Sequence, residues 1–295
     1  MSGHFLRAAP AAGFLTRFAP APTGFLHLGH AANAISVWGV ARAFGGRVGL
    51  RIEDHDRTRF RPEFEAAILE DLAWLGFVPD ELFPPQRARG SRYEEAMRCL
   101  EAKGLVYACA CTRKSLDPGP GPGGERRYPG TCRDRSVNGV ESARRVRLEH
   151  QAVGFEDLRL GAIEQTPADQ CGDVLTRDRL GQWTYQFAVV VDDLDQGVDL
   201  VIRGEDLLAS TGRQIQMARL LGREIPARFV HHPLIKREDG AKLSKSNRDT
   251  GIRDLRASGL SADQVLGRAS AALGLGDGHP LDEAEIVARI RASVG

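Results

Sequence analysis

The hydrophobic positions of the first 75 residues follow two alternating spacings. Residues 13–20 form a short apolar run, which predicts a buried strand that ends at a Pro/Gly-rich turn. From Gly29 to Phe44 the apolar residues recur at near-helical intervals, and the strand and helix patterns return at 47–54 and 63–75. This βαβα order predicts a parallel sheet with helices on both faces, in which ligands bind at the carboxyl ends of the strands.

The middle of the chain departs from this order. Residues 108–135 hold three cysteines around a Pro/Gly-rich stretch that can form neither helix nor strand, which predicts a small inserted subdomain. The segment 184–208 then supplies a very apolar run that we interpret as a strand, a turn at Gly197, and a further strand that ends at Arg203–Asp206. The α/β domain therefore resumes after the insertion.

These patterns predict one α/β domain that covers residues 14–107 and 140–235 and is interrupted by the insertion at 108–135. The remaining tail, residues 236–295, shows helical spacing at 262–273 and 283–290 with a Gly-rich break between them. A tail of this length is too short to form a second full domain.

Composition narrows the class of protein. A hydrophobic fraction of 42% and a charged fraction of 27% over 295 residues are those of an ordinary folded chain, and no apolar run approaches the roughly 18 residues of a membrane span. The first residues lack the pattern of a secretory signal, so we expect a soluble cytoplasmic protein whose five cysteines stay reduced. A net charge of +1 neither supports nor excludes a nucleic-acid partner.

The stretch "HLGH" places His27 and His30 three residues apart at the start of a predicted helix. Both could simply cap the helix and pack there, as is usual for a lone match to so short a motif. A metal pair is less plausible, since no further ligand lies nearby in the sequence. The third interpretation is a phosphate site at the helix N-terminus, where Gly29 would let a nucleotide approach the backbone.

A second phosphate-binding element is needed for that third interpretation, and "AKLSKSN" at 241–247 provides a candidate. Lys242 and Lys245 flank the hydroxyl of Ser244, a combination suited to the charge that develops on a leaving pyrophosphate. Taken alone, the segment would be a solvated charged loop in most proteins. Together the two strings resemble the HIGH and KMSKS signatures of the class I aminoacyl-tRNA synthetases.

Further blocks resemble the glutamyl branch of that family. "RFAPAPTGFLHLGHA" is similar to its RFAPSPTGxLHxGHA, "RIEDHDRTR" to its RIEDTDxxR, and residues 184–208 to the strand and loop around its amino-acid pocket. The resemblance spans residues 17 to 247 and implies a Rossmann-like catalytic domain of the α/β class. It implies His27, His30 and Lys245 as catalytic residues, with ATP bound by Gly29, Lys242, Ser244 and Lys245.

The same resemblance implies a glutamate pocket. Its members would be Arg17, Phe18, Ala19, Pro20, Ala21, Glu53, Tyr185 and Arg203. Glutamate carries two carboxylates and one ammonium, so Arg17 and Arg203 can pair with carboxylate and Glu53 with the ammonium. Taken singly, Arg203 and Glu53 could equally be surface ion pairs, and Tyr185 a core residue. Ala21 stands where the family pattern has serine, which removes a hydroxyl from the rim of the pocket.

The cysteines within the insertion form a candidate metal site. Read without context, Cys109, Cys111 and Cys132 are either zinc ligands or buried free thiols, and the sequence leaves both open. The string "CACTRKSL…RRYPGTCRD" resembles the zinc insertion of the glutamyl-queuosine tRNA(Asp) synthetases, which implies that Tyr128 completes the ligand set. A shell of four protein ligands around one zinc ion would be structural, because it leaves no open position for catalysis.

The short tail also resembles these synthetases, since a full glutamyl-tRNA synthetase carries a large anticodon-binding portion after KMSKS. The resemblance implies activation of L-glutamate by ATP with Mg²⁺, without tRNA, and its transfer to queuosine at the wobble position of tRNA(Asp). We expect a monomer. Three rivals remain open: a glutamyl-tRNA synthetase fragment that charges the tRNA 3′ end, a catalytically silent RNA-binding paralogue, and a nucleotidyltransferase that acts on a small molecule.

Overall fold

The computed structural model describes residues 4–56, 58–116, 126–137, 142–235 and 251–295. Its strands are β1 (Leu15–Phe18), β2 (Arg47–Leu50), β3 (Glu81–Leu82), β4 (Val106–Cys109), β5 (Ala143–Val146), β6 (Val153–Asp157), β7 (Gly161–Gln165), β8 (Val174–Arg177), β9 (Leu200–Gly204) and β10 (Arg228–His232). Its helices are α1 (Leu28–Phe44), α2 (Pro62–Trp74), α3 (Gly90–Ala102), α4 (Pro167–Gln170), α5 (Tyr185–Asp195), α6 (Thr211–Leu220), α7 (Ile252–Ala257), α8 (Ala262–Ala272) and α9 (Glu283–Ala292).

Parallel strands form the centre of the fold, as the βαβα order predicted. The first sheet has the order β1-β2-β3, and the second has the order β7-β6-β10-β9, in which only β7 runs antiparallel to its neighbour. The two sheets meet where β1 lies beside β9, and there the backbone N–H of Asp199 donates to the carbonyl of Leu15 at 2.9 Å. The carboxyl ends of β1, β9 and β10 consequently open on the same side.

A third, antiparallel sheet lies apart from these strands, in the order β4-β5-β8. Cys109 is the last residue of β4, so this sheet positions the first of the three clustered cysteines. Its strands come from both sides of the predicted insertion, and the domain boundaries inferred from the sequence remain predictions.

Two segments near the predicted pocket differ from the sequence-based expectation. The strand expected at 47–54 ends at Leu50, although the backbone N–H of Glu53 still donates to the carbonyl of Pro20 at 3.0 Å. The apolar run that we interpreted as a strand is the helix α5, whose consecutive residues 187–191 are all buried. A helix that is enclosed on several sides shows no apolar stripe, so its period could not be read from the sequence.

The largest core cluster lies between α1, the parallel strands and the C-terminal helices. Both α8 and α9 pack against α1, and Gly39 in α1 makes the close approach of α9 possible. A Cβ at position 39 would lie 2.4 Å from Cδ1 of Ile290. The two C-terminal helices, predicted from their spacing, therefore help to hold α1 in place.

The described helices were also compared with the demands of a lipid bilayer. Within the described ranges, none is both long enough and apolar enough to cross a membrane.

Candidate active site

A cavity of about 370 Å³ opens at the carboxyl ends of β1, β9 and β10. Its walls include most of the residues that the sequence singled out, namely Arg17, Ala19, His27, Gly29, His30, Glu53, Tyr185 and Arg203. The described lining does not include Phe18, Pro20 or Ala21. Side chains alternate along a strand, and the ring of Phe18 packs on Trp38 with 5.2 Å between ring centroids. Residues from five separate parts of the chain thus surround one space.

His27 and His30 cap the N-terminus of α1 reciprocally. Nδ1 of His27 accepts the backbone N–H of Gly29 at 3.1 Å, and Nδ1 of His30 accepts the backbone N–H of His27 at 3.1 Å. Because a ring nitrogen that accepts a hydrogen bond carries no proton, each neutral ring holds its proton on Nε2. The pair therefore places two imidazole rings beside the positive end of the helix dipole, an arrangement suited to anionic oxygen.

Gly29 leaves space for the first of these rings. A Cβ at position 29 would lie 2.9 Å from Cε1 and 3.0 Å from Nδ1 of His27. The sequence suggested that this glycine admits a nucleotide close to the backbone. The structure adds a second reason for glycine at position 29, since a side chain there would push the imidazole of His27 out of its capping position.

The candidate residues Lys242, Ser244 and Lys245 lie outside the described residues, so their placement is not described. The described residues next to that segment both lie at the cavity. Ile235 lines it, and Gly251 pairs with His27 in a β-bridge.

A buried network of charges supports Arg17 and Glu53. Nε of Arg17 donates to Asp193 at 3.0 Å, and the guanidinium of Arg51 donates to Asp193 at 2.7 Å and to Glu53 at 3.0 Å. Burial alone would raise the pKa of Asp193, but Arg17 and Arg51 outweigh it and lower that pKa to about 2. Burial likewise opposes the charge on Arg51, whose pKa is nevertheless raised by Asp193, Glu53 and Asp192. The network holds Arg17 and Glu53 in fixed positions.

A second network holds Arg203. Its three nitrogens donate to Nε2 of His231 at 3.1 Å, to Gln214 at 2.7 Å and to Thr211 at 2.8 Å. Since Arg203 can only donate, Nε2 of His231 is unprotonated, and Nδ1–H of His231 donates to Asp157 at 2.6 Å. Burial lowers the pKa of His231, which agrees with this neutral ring. The guanidinium of Arg203 is thereby fixed at the wall of the cavity.

Tyr185 is the remaining predicted pocket residue. It begins α5 and its side chain is half-buried at the cavity wall. Burial raises the pKa of its hydroxyl, against the effect of Arg203, so Tyr185 is a neutral phenol that can donate a hydrogen bond. The cavity thus combines cationic, anionic and neutral donor groups, which matches a ligand with carboxylate and ammonium groups.

The residues behind the cavity wall were missed by the sequence analysis. Asp193 comes shortly after three consecutive valines and His231 lies within the strand β10, and an ionisable residue in or next to an apolar run is a recognisable signal. Arg51 and Asp157 have no comparable signal in the sequence around them. Their partners are distant in sequence, as shown by Arg17 and Asp193, which are 176 residues apart.

The three cysteines of the insertion converge. The sulfurs of Cys109, Cys111 and Cys132 all lie within 4.8 Å of one another, and those of Cys111 and Cys132 are 3.7 Å apart. Tetrahedral zinc with Zn–S bonds of about 2.3 Å would place two sulfurs about 3.8 Å apart. The three thiols therefore fit a zinc site, which the chain's own backbone has already assembled.

The surroundings of the cluster suit anionic ligands. Tyr128 is buried, and its hydroxyl accepts the backbone N–H of Cys132 at 2.7 Å, which places the phenol at the edge of the cluster. Nε of Arg145 donates to the sulfur of Cys109 at 3.3 Å, and its guanidinium lies 3.8 Å from the ring centroid of Tyr128. This cation would offset the negative charge of thiolates. Cys171 lies outside this cluster and donates to nearby carbonyls, and Cys99 is exposed.

Comparisons with known proteins agree with this fold. Residues 14–266 match the family model of the catalytic domain of the class I tRNA synthetases (E and Q). A "Glutamyl-Q tRNA(Asp) synthetase" from Burkholderia cenocepacia is 42% identical over 85% of this chain and 90% of its own length. A protein of the same name from Pseudomonas fluorescens is 40% identical over 95% of this chain and 91% of its own.

A solved glutamate tRNA ligase from Elizabethkingia meningosepticum has the same fold, with a TM-score of 0.75 at 23% identity. The match covers 93% of this chain but only 64% of the ligase, so the chain spans less than two thirds of that larger protein. Together with the matches in sequence, this fold confirms the resemblance to the class I aminoacyl-tRNA synthetases that was drawn from the strings "HLGH", "RIEDHDRTR" and "AKLSKSN" and from residues 184–208. The chain therefore belongs to the class I tRNA synthetases (E and Q) and is a ligase enzyme of that family.

Proposed function

We propose that the chain activates L-glutamate with ATP, without tRNA, and transfers the glutamyl group to queuosine at the wobble position of tRNA(Asp). The observation that carries the proposal is the single cavity in which the HLGH turn faces Arg17, Glu53, Tyr185 and Arg203. Its relatives bear the name "Glutamyl-Q tRNA(Asp) synthetase", which supports the choice of tRNA.

In the first step, one α-carboxylate oxygen of glutamate attacks the α-phosphorus of ATP, and pyrophosphate leaves. The Nε2–H groups of His27 and His30 would donate to the charge that builds on the phosphate oxygens, beside the N-terminus of α1. Lys242 and Lys245, with the hydroxyl of Ser244, would bind the departing phosphates. Magnesium carried in with ATP would supply further neutralisation of those phosphates.

In the glutamate pocket, Arg17 and Arg203 would each hold a carboxylate, and Glu53 the ammonium group. Fixed partners behind each of these residues mean that little reorganisation accompanies substrate binding, which favours positioning and electrostatic stabilisation as the source of rate. Cys109, Cys111, Tyr128 and Cys132 would hold one structural zinc ion, whose contribution would be to stabilise the fold around the third sheet.

The proposal is tested in two stages. Glutamate-dependent exchange of pyrophosphate into ATP should occur without tRNA, and its absence at high enzyme concentration would support a silent RNA-binding paralogue. Mass spectrometry of nuclease-digested tRNA(Asp), after incubation with ATP and glutamate, should then show glutamylated queuosine. Attachment to tRNA(Asp) that lacks queuosine would instead indicate charging of the 3′ end.

One substitution separates this activity from a nucleotidyltransferase that acts on another small molecule. Arg203→Ala should raise the KM for glutamate at least about tenfold, because it removes a buried cation that would pair with a substrate carboxylate. An unchanged KM would remove Arg203 from the pocket and weaken the assignment of glutamate as the substrate.

A further inference from the structure

A second cavity, of about 430 Å³, lies on the other side of the wall that holds the glutamate pocket. It is lined by two arginines, three aromatic rings and several small or polar residues: His55, Gln86, Arg87, Gly90, Tyr93, Arg177, Leu180, Gly181, Gln182 and Trp183. The proposed reaction needs a place for an acceptor nucleoside beside the activated amino acid.

Two short segments of chain separate the cavities. Glu53 lines the first cavity and His55 the second, while Tyr185 lines the first and Trp183 the second. The rings of His55 and Tyr185 are 6.4 Å apart between centroids. His55 therefore stands at the boundary between the two spaces.

The surrounding polar groups determine which nitrogen of His55 carries a proton. Asp192 is completely buried and accepts from Arg89 at 2.6 Å and from the hydroxyl of Tyr93 at 2.9 Å. A carboxylate in such surroundings can only accept, so the amide nitrogen of Gln86 must be the group that donates to Asp192 at 2.8 Å. The oxygen of Gln86 then faces His55, whose Nδ1 lies 2.7 Å away and must be the donor.

It follows that Nδ1 of His55 carries a proton, so the neutral form of the ring has its unprotonated nitrogen at Nε2. The orientation does not depend on an arbitrary assignment of the Gln86 amide, because the charge of Asp192 fixes it. A buried carboxylate, an amide and an imidazole thus form a chain that prepares a proton acceptor. Gln86 acts here as a positioning residue.

The lining of the second cavity suits a nucleotide. The guanidinium of Arg177, which pairs with Glu94 at 2.8 Å, lies 4.9 Å from the ring centroid of Trp183, and that ring stacks on Phe187 at 5.2 Å with an interplanar angle of 25°. Unpaired RNA bases are commonly bound by stacking on aromatic rings and on guanidinium planes. Arg87, at the same cavity, adds a further positive charge, although it is shared with Asp54 and Glu65.

We propose that the second cavity receives the acceptor nucleoside of the RNA and that Nε2 of His55 takes the proton of its attacking hydroxyl. This inference rests on the proposed function. The hydroxyl oxygen attacks the carbonyl carbon of the glutamyl adenylate and forms the ester bond. The bond between that carbon and the phosphate oxygen breaks, AMP leaves with the electron pair, and the hydroxyl proton passes to His55.

The two steps of the reaction provide the test. His55→Ala should lower the rate of glutamate transfer to queuosine-containing tRNA(Asp) by about 10²- to 10⁴-fold, and the rate of pyrophosphate exchange by far less. Added imidazole should restore part of the transfer rate in this variant, which a purely structural role of His55 would not allow. His150→Ala, at an exposed histidine that pairs with Asp169, serves as the matched control and should match the wild type in both assays.

A second variant tests the cavity itself. Trp183→Leu should raise the KM for tRNA at least about fivefold, because it removes the ring against which the guanidinium of Arg177 packs and so displaces the planar surface on which a base would stack, an interaction that contributes about 1–3 kcal/mol per base. An unchanged KM for tRNA would mean that the nucleoside binds elsewhere and would overturn the assignment of the cavity.

The outcomes distinguish a failure of the proposed function from a failure of the role given to His55. If the wild type shows no glutamate-dependent exchange, the proposed function fails and the inference fails with it. If the wild type exchanges and transfers, but His55→Ala slows both steps equally or imidazole restores nothing, only the role of His55 is refuted.

Discussion

Replacement of Asp193 by asparagine offers the most direct measure of the buried charge network. Asp193→Asn keeps the shape of the side chain but removes the anion that lies between Arg17 and Arg51. The pKa of Asp193 falls from 3.8 to about 2, a difference that corresponds to roughly 2 kcal/mol. The residue is only 9% exposed, so solvent screening reduces this figure little. Arg17 loses its carboxylate partner and Arg51 loses one of several, and we expect a loss of about 2–4 kcal/mol in the free energy of unfolding.

The sign of the pH dependence follows from the lowered pKa. The stabilisation is fully present above about pH 4, where the unfolded carboxyl is ionised, and is lost as the pH falls towards about 2. The difference between wild type and Asp193→Asn should therefore be constant near neutral pH and should shrink below about pH 4. Denaturant unfolding followed at several pH values measures both quantities.

A matched control lies on the same helix. Asp195 pairs with Arg92 at 2.8 Å, but its side chain is 22% exposed, and Asp195→Asn should cost less than about 1 kcal/mol. Equal losses in the two variants, or a loss below about 1 kcal/mol for Asp193→Asn, would refute the view that the buried network is what holds Arg17 in place.

Three further outcomes are expected. Burial raises the pKa of Asp71 to about 6, so its contribution to stability is present below about pH 4 and is lost as the pH rises through 6. Asp71→Asn should therefore be up to about 3 kcal/mol more stable than the wild type near pH 8. Denaturant unfolding near pH 4 and near pH 8 would show the difference. Gly29→Ala should slow pyrophosphate exchange about 10²-fold by displacing the ring of His27, with no fall in Tm, since alanine favours a helix. Gly172 has φ of 68° and a Cβ there would lie 2.1 Å from the carbonyl oxygen of Tyr128, so Gly172→Ala should purify with less zinc per chain than the wild type, as elemental analysis would report.

Local patterns in the sequence were sufficient to predict the helices that have one solvent-exposed face. The helix predicted at 63–75 is α2, and the tail helices predicted at 262–273 and 283–290 are α8 and α9. In each of these helices polar residues face solvent and apolar residues face the core, so the period of the pattern is visible along the chain. The helix α5 was misread because both of its sides are covered, and the period disappears.

The candidate site was likewise only partly predictable from the sequence. The HLGH turn, Glu53, Arg203 and the cysteine cluster could be named from the sequence, since each lies in a short motif whose residue types suit a stated chemistry. Whether those residues face one cavity depends on the order of the strands, and the fold brings β1 beside β9 although the two strands are far apart in sequence.

The sequence by itself therefore determined the set of residues that could contact a substrate. It also determined the helices and strands that have one solvent-exposed and one buried side. Only the tertiary structure decided which partners fix those residues: Asp193 for Arg17, His231 for Arg203 and Gln86 for His55. The physical reason is that short-range preferences act between neighbours along the chain. Buried ion pairs and hydrogen bonds act between groups that meet only after the sheets have formed.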